Sequence, residues 1–211
     1  MKTHSITLAM VLGACQPGSS ELTPELRAEQ YGNSVRLSAS FQEGSDPVTA
    51  LDGEFKATFR GETKVLEHNF PAFWYASFEL DTSFVADEPI TYDLTIEGEP
   101  TTSLTFELAA LEIDPVPLFV ARADNLTLSW SPSVEYEMGW QLTVCGSGAA
   151  YGRIPANVTS YTVPKESFRN DITCTAELEI EHRAIAPIDS AFAGGTFQLD
   201  EHPRVWFAST P

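Results

Sequence analysis

The side chains able to do chemistry are few and scattered. Besides His4 the histidines are His68, His182 and His202. His182 lies in Glu181-His182-Arg183 and His202 in Glu201-His202-Pro203. Imidazoles beside carboxylates are metal ligands or acid–base pairs when a fold brings them together. Their spacing matches no metal motif, so the simpler expectation is a solvated strand end. A serine nucleophile needs a base held by a third group. No Gly-x-Ser-x-Gly elbow occurs, and Gly146-Ser147-Gly148 reads as a flexible turn. No phosphate loop, dinucleotide fingerprint or calcium loop is present. Paired carboxylates suit glycoside chemistry, but with 30 acidic residues some pair always exists and the signal is empty. No catalytic residue, cofactor site or metal site is therefore assigned.

The densest local feature is aromatic. Phe70, Phe73, Trp74 and Tyr75 fall within six residues. Exposed, Phe73, Trp74 and Tyr75 would stack on a sugar or anchor a protein partner. The competing reading turns two or three of them into a core. Phe192-Ala-Gly-Gly195 is a second candidate, either a binding loop or a simple turn.

Composition bounds the partners. The chain has 211 residues, 43% hydrophobic and 20% charged, which is a globular balance. Lys and Arg number 12 against those 30 acids, for a formal charge of −18. Nucleic acid requires a basic footprint and is excluded as an electrostatic partner, and the same charge argues against docking on anionic lipid headgroups. The acids are spread along the chain, consistent with salt adaptation or with a cationic partner. No apolar run reaches the 18 or so residues of a spanning helix.

The elements that must hold these residues are strands. Thr23 to Tyr31 is the single helix candidate, with Thr23 as cap and Pro24 at the first helical position, a flexible tether being the alternative. From Asn33 the apolar period is two. Val35, Leu37, Ala39 and Phe41 alternate, then Phe55, Ala57 and Phe59. Strands follow at Lys64–His68, Trp74–Leu80, Ile90–Ile96 and Ser103–Leu108, with turns at Gly61-Glu62, Asp87-Glu88-Pro89 and Gly98-Glu99-Pro100. Pro115 and Pro117 discourage a continuous ladder and place a boundary near Glu112–Leu118. The pattern predicts an all-β chain of two consecutive β-sandwich domains, residues 33–113 and 114–211.

The second half resembles a fibronectin type III or immunoglobulin-like domain. Asn125–Ser133 (NLTLSWSPS) resembles strand B with Trp130 as core Trp. Gly139–Gly146 resembles strand C, Thr159–Pro164 strand E, Ile172–His182 strand F and Arg204–Ser209 strand G. The family's strand-F Tyr is missing. On this assignment Cys145 ends strand C and Cys174 begins strand F. Antiparallel neighbours bring those ends together, so a disulfide is expected; two buried thiols or a metal pair are the alternatives. Such a bridge would close a loop of about 30 residues, worth roughly 3 to 4 kcal/mol.

The start of the chain carries a second resemblance. A short basic beginning (Lys2, His4) leads to an apolar run, Ile6–Gly13, then Leu12-Gly13-Ala14-Cys15. This layout looks like a lipoprotein signal peptide (residues 1–14), and the Leu-small-small-Cys resembles the lipobox of bacterial lipoproteins. The resemblance implies cleavage before Cys15 and acylation of Cys15, with residues 15–32 as tether. Two or three acyl chains anchor stably where one is marginal. Gln16, in place of an Asp, leans towards the outer membrane. The whole chain is also similar to a set of bacterial surface lipoproteins that pair two β-domains and end in a segment like Asp189–Pro211. These resemblances imply a lipid-anchored, non-enzymatic envelope protein that binds protein or glycan. A periplasmic accessory subunit is the alternative, and a glycan-active enzyme a weaker one.

Overall fold

A computed structural model describes residues 22–31, 33–48, 51, 53–69, 73–80, 84, 87–97, 99–108, 110–168, 172–188 and 192–211. The signal peptide, Phe70, and residues 15–21 and 32 of the expected tether, Cys15 among them, lie outside these. The described chain is built of strands. The only helical turn among the described residues is a 3-10 turn at Lys165–Ser167. None of its helices is long and apolar enough to cross a membrane.

The chain divides into two compact units. Unit 1 takes the chain up to Ala110 together with Arg183–Asp200; unit 2 takes Leu111–His182 and Glu201–Pro211. This corrects the expected boundaries of 33–113 and 114–211. The second half returns to unit 1 for 18 residues before unit 2 resumes.

Unit 1 is a sandwich of two sheets. The first contains β1 (Leu22–Tyr31), β2 (Ser34–Glu43), β3 (Asp46–Pro47), β6 (Glu67–Asn69), β7 (Phe73–Glu79) and β17 (Thr196–Glu201). Its order is β17-β1-β2-β7-β6, with β3 on β2. The second contains β4 (Gly53–Phe59), β5 (Glu62–Val65), β8 (Pro89–Ile96) and β9 (Thr102–Glu107), ordered β5-β4-β8-β9. The β4–β5 turn puts Arg60 at φ 50° and Gly61 at φ 78°, the mirror-image turn whose twist suits a tight hairpin. Inward residues interleave between the sheets: Phe41 meets Phe55 at 5.2 Å, Trp74 meets Phe55 at 5.1 Å, and Phe59 meets Phe78 at 6.0 Å. Fully buried Tyr92 on β8 reaches across and donates its hydroxyl to the Arg27 carbonyl at 2.7 Å.

Residues 22–31 form a strand, which corrects the helix and tether readings. Pro24, Leu26 and Ala28 are buried in alternation. Ten residues of β1 pair antiparallel with β2, and Glu25–Glu29 pair in parallel with Thr196–Asp200 of β17. The Thr-Pro pair that resembles a helix cap instead begins a strand, where a proline's missing N–H is tolerated. Local preference gives way here to two flanking partners.

Residues 183–188 and 192–200 are the two sides of a hairpin, which corrects their assignment to a loop of the second domain. It comprises the end of β16 (Cys174–Pro187) and β17, and is closed by the Ile188 N–H to the Gly195 carbonyl at 2.9 Å. Ile188, Phe192, Phe197 and Leu199 are buried with the unit 1 core. Phe197 stacks on Phe106 with centroids 4.3 Å apart and planes 9° apart. Gly195 adopts φ 139°, and a Cβ there would lie 2.4 Å from the Pro24 carbonyl oxygen. The glycine pair thus lets the chain pass close to β1; it is not a free binding loop.

Unit 2 has a three-stranded sheet, β10 (Glu112–Ile113), β12 (Leu126–Ser131) and β15 (Ser160–Val163). Its other sheet contains β11 (Phe119–Ala121), β13 (Met138–Val144), β14 (Ser147–Ile154), β16 and β18 (Arg204–Thr210). β12 pairs β15; β13 pairs β14 and β16; β16 pairs β18; β11 runs parallel to β18. These are the B–E and C–F–G pairings of an immunoglobulin-like sandwich. Ser147-Gly148, read as a flexible turn, opens β14; the turn itself is Cys145-Gly146. Leu126, Trp130, Trp140, Leu178, Ile180 and Phe207 are among its core residues.

Candidate functional site

Cys145 and Cys174 are joined, with Cα atoms 5.2 Å apart across 29 residues, well inside the span a disulfide bridges without backbone movement. The bridge sits where β13 ends and β16 begins, and the Cys145 N–H also donates to the Thr175 carbonyl at 3.0 Å.

The histidines do not converge. His68 is exposed and packs on Trp74, ring centres 4.9 Å apart. His202 Nδ1 lies 3.1 Å from Glu179. His182 is not the solvated strand end its flanking charges suggest. It is buried, and its Nδ1 lies 2.5 Å from the equally buried Glu201, whose Oε1 also accepts the Leu111 N–H at 2.5 Å. Glu201 thereby fastens three points at which the chain enters or leaves unit 2. Strand alternation explains the miss: Ile180, His182 and Ala184 share the inward face of β16 while Glu181 and Arg183 face out. Among the described residues no group of three His, Cys, Asp or Glu is placed to hold a metal ion.

The aromatic cluster splits by the same rule. Trp74 points inward, 5% exposed, against Phe41 and Phe55. It is core, which removes it from the binding candidates. Phe73, 51% exposed, and half-buried Tyr75 point outward from the same strand.

These two rings form one wall of a trough on the outer face of the first sheet of unit 1. Its volume is about 270 Å³. The floor is β2, which presents Ser38 and Ser40. Register fixes the walls. Ser38 lies opposite Arg27 on β1 and opposite Tyr75 on β7; Ser40 lies opposite Glu25 on β1. Two strand spacings separate the walls, about 10 Å. The β7 side carries Phe73 and Tyr75, extended by Asn69 from β6, which pairs with Phe73. The β1 side carries Glu25, Arg27 and Glu29. Short residues between two taller rows leave a channel running along β2.

The walls are held in place. The Gln42 amide donates to Glu25 at 3.0 Å. Arg27 bonds Glu29 at 3.1 Å, and the Tyr31 hydroxyl donates to Glu29, also at 3.1 Å. The Arg36 guanidinium closes one end, 4.7 Å from the Tyr31 ring centre and 5.1 Å from that of Tyr75. Partial burial, then the bond to Glu29, pushes the Tyr31 phenol above its ordinary pKa, so it remains a donor there. Under the floor, Tyr92 pins the backbone at Arg27. Two carboxylates and two guanidiniums make the trough locally neutral in a chain of charge −18. Sequence reading finds Phe73 and Tyr75 by density. It misses the charged wall and serine floor, because only register brings β1 and β2 beside β7.

No family model matches the chain, and no curated protein matches it. Among solved structures, a Salmonella alpha-2-macroglobulin aligns at 10% identity over 95% of this chain, with TM-score 0.34; the chain spans 15% of that protein's length. A two-domain fibronectin type III segment of chicken tenascin aligns at 14% identity over 87% of this chain and 98% of its own, with TM-score 0.27. The FN1–FN3 domains of chicken CNTN1 align at 11% identity over 89% of this chain and 66% of their own, with TM-score 0.23. The class rests on the strand pairing. This is an all-β protein of two sandwich units, the second with the strand order of an immunoglobulin-like or fibronectin type III domain.

Proposed function

We propose that this chain is a lipid-anchored, non-enzymatic binding module of a bacterial cell envelope. The observation that carries the binding role is the trough along β2, a concave, side-chain-lined channel on a rigid sheet. Its carboxylates are engaged: Glu25 by Gln42, Glu29 by Arg27 and Tyr31. Groups held in this way suit the positioning of a ligand. The anchor reading is supported by Leu12-Gly13-Ala14-Cys15 at the end of an apolar run, with the polar stretch QPGSSELTPE after it. Gln16 favours the outer membrane.

Metabolic labelling with an alkynyl palmitate tests the anchor. The wild-type chain takes up label and a Cys15→Ser variant does not; an unlabelled wild-type chain overturns the reading. Protease applied to intact cells then assigns the face of the membrane. Digestion places the module outside, and protection until the outer membrane is opened places it in the periplasm.

A further inference from the structure

We infer that the trough along β2 takes a short, uncharged oligosaccharide, its sugar rings stacked on Phe73 and Tyr75. The inference rests on the binding role proposed above and gives that site its ligand class.

Three observations select the chemistry. The first is the asymmetry of the walls. A pyranose has an apolar C–H face and a rim of hydroxyls. One wall offers two aromatic rings: Phe73 is half exposed, and half-buried Tyr75 beside it has the Arg36 guanidinium over one face, which leaves its other face for a sugar. The opposite wall offers carboxylates and a guanidinium, Glu25 and Arg27, which accept from and donate to vicinal hydroxyls in pairs. The serine hydroxyls of the floor lie between.

The second is charge. The trough balances its acids and bases, while the chain around it carries −18. A phosphorylated, sulfated or uronic ligand would pay repulsion from the whole surface with no cationic excess at the site to offset it. A neutral sugar meets no such barrier. Nucleotides are disfavoured on the same ground.

The third is position. The trough lies over the middle of a sheet. The backbone of β2 is already paired with β1 on one side and β7 on the other. An extended peptide gains affinity by adding to a free strand edge, and β2, flanked on both sides, offers none along the floor. Only side chains face the ligand. The volume, about 270 Å³, lies just below the usual span of ligand sites, so the trough holds one or two rings of a longer chain or of a free oligosaccharide.

The test is titration calorimetry of the purified full chain against cellotetraose, maltotetraose, mannotetraose and chitotetraose, with a tetragalacturonate as the anionic comparison. At least one neutral tetraose is expected to bind with a Kd of about 10 µM or weaker. Tyr75→Ala should weaken that binding at least tenfold and Tyr75→Phe should keep it within about threefold, since the phenyl face is retained. Trp206→Ala, on unit 2, should leave it unchanged. Tyr75→Phe and Trp206→Ala report on folding of the variants. No heat from any neutral sugar at about 10 mM overturns the inference. So does binding confined to the galacturonate, or binding indifferent to Tyr75→Ala. If no sugar binds but a Tyr75→Ala-sensitive envelope protein is captured, the glycan inference falls and the binding role stands. If Tyr75→Ala alters neither titration nor capture, both fall.

Discussion

The two units present outward sheet faces that differ in the height of the side chains on the middle strand. In unit 1 the middle strand β2 presents Ser38 and Ser40, and a trough opens above them. In unit 2 the corresponding strand β16 presents Glu177 and Glu179. Arg204 lies 3.3 Å from Glu177 and 2.6 Å from Glu179. Trp206 donates its indole N–H to Glu177 at 3.2 Å, and His202 lies 3.1 Å from Glu179. Long side chains interlock across the described part of this face. Both faces follow the same alternation, and both carry an exposed aromatic. A binding channel needs, besides aromatics and charges, a row of residues too short to fill the space between them.

The largest effect should come from confusing the faces of β7. Trp74→Ala empties part of the unit 1 core and should cost about 3 to 5 kcal/mol in denaturant unfolding. Phe73→Ala, one residue away and pointing outward, should change stability by no more than about 0.5 kcal/mol. Equal costs would mean the alternation is wrong.

Close behind is the closure of unit 2. Replacing Cys145 and Cys174 together by Ala should lower stability by roughly 3 to 4 kcal/mol, the chain-entropy value for a loop of this length. The trough should survive, because it lies in unit 1. Tetraose titration of the double variant, alongside its melting curve, checks both halves of that statement.

Tyr92→Phe is expected to cost about 1 kcal/mol at neutral pH, for the lost bond to the Arg27 carbonyl. Its pH dependence is the sharper signature. Burial holds the Tyr92 phenol protonated far above its ordinary 10.0, whereas the unfolded chain ionises it near that value. The native state therefore keeps a proton the unfolded state releases. Tyr92 contributes its full stability below pH 10 and loses it as pH rises beyond. Alkaline unfolding of the wild type should be steeper than that of Tyr92→Phe; identical slopes would remove the buried phenol from the account.

The smallest change in stability should come from the floor itself. Ser40→Trp raises an outward residue to the height of its neighbours and should alter stability by about 0.5 kcal/mol or less. It makes the unit 1 face resemble that of unit 2, and any tetraose binding should drop at least tenfold. Retained binding would detach function from the channel.

Much of this architecture is readable from residue order. Period-two alternation marks β2, β4, β7, β8 and β9, and the C-terminal pattern gives the pairing that joins Cys145 to Cys174. Three features escape, each for a physical reason. Leu22–Tyr31 is rich in helix formers, and its strand state is imposed by β2 and β17 from either side. Residues 183–200 look like a loop because their partner, β1, lies more than 150 residues earlier in the chain. The trough is spread over β1, β2, β6 and β7, and no local window contains both its walls. Residue order gives the face of a strand; which faces adjoin is a property of register.

The inserted hairpin imposes a timetable on assembly. A chain delivered N-terminus first presents Ala110 well before Thr196, yet β1 gains its second neighbour only when β17 emerges. At about 20 residues per second that interval is roughly four seconds. Throughout it the nascent first sheet ends at β1 with a row of unsatisfied backbone groups, a template for any passing strand. The half-made protein thus exposes as an adhesive edge the strand that later forms the charged wall of its channel. The last third of the message completes both units, and a chain cut short there finishes neither.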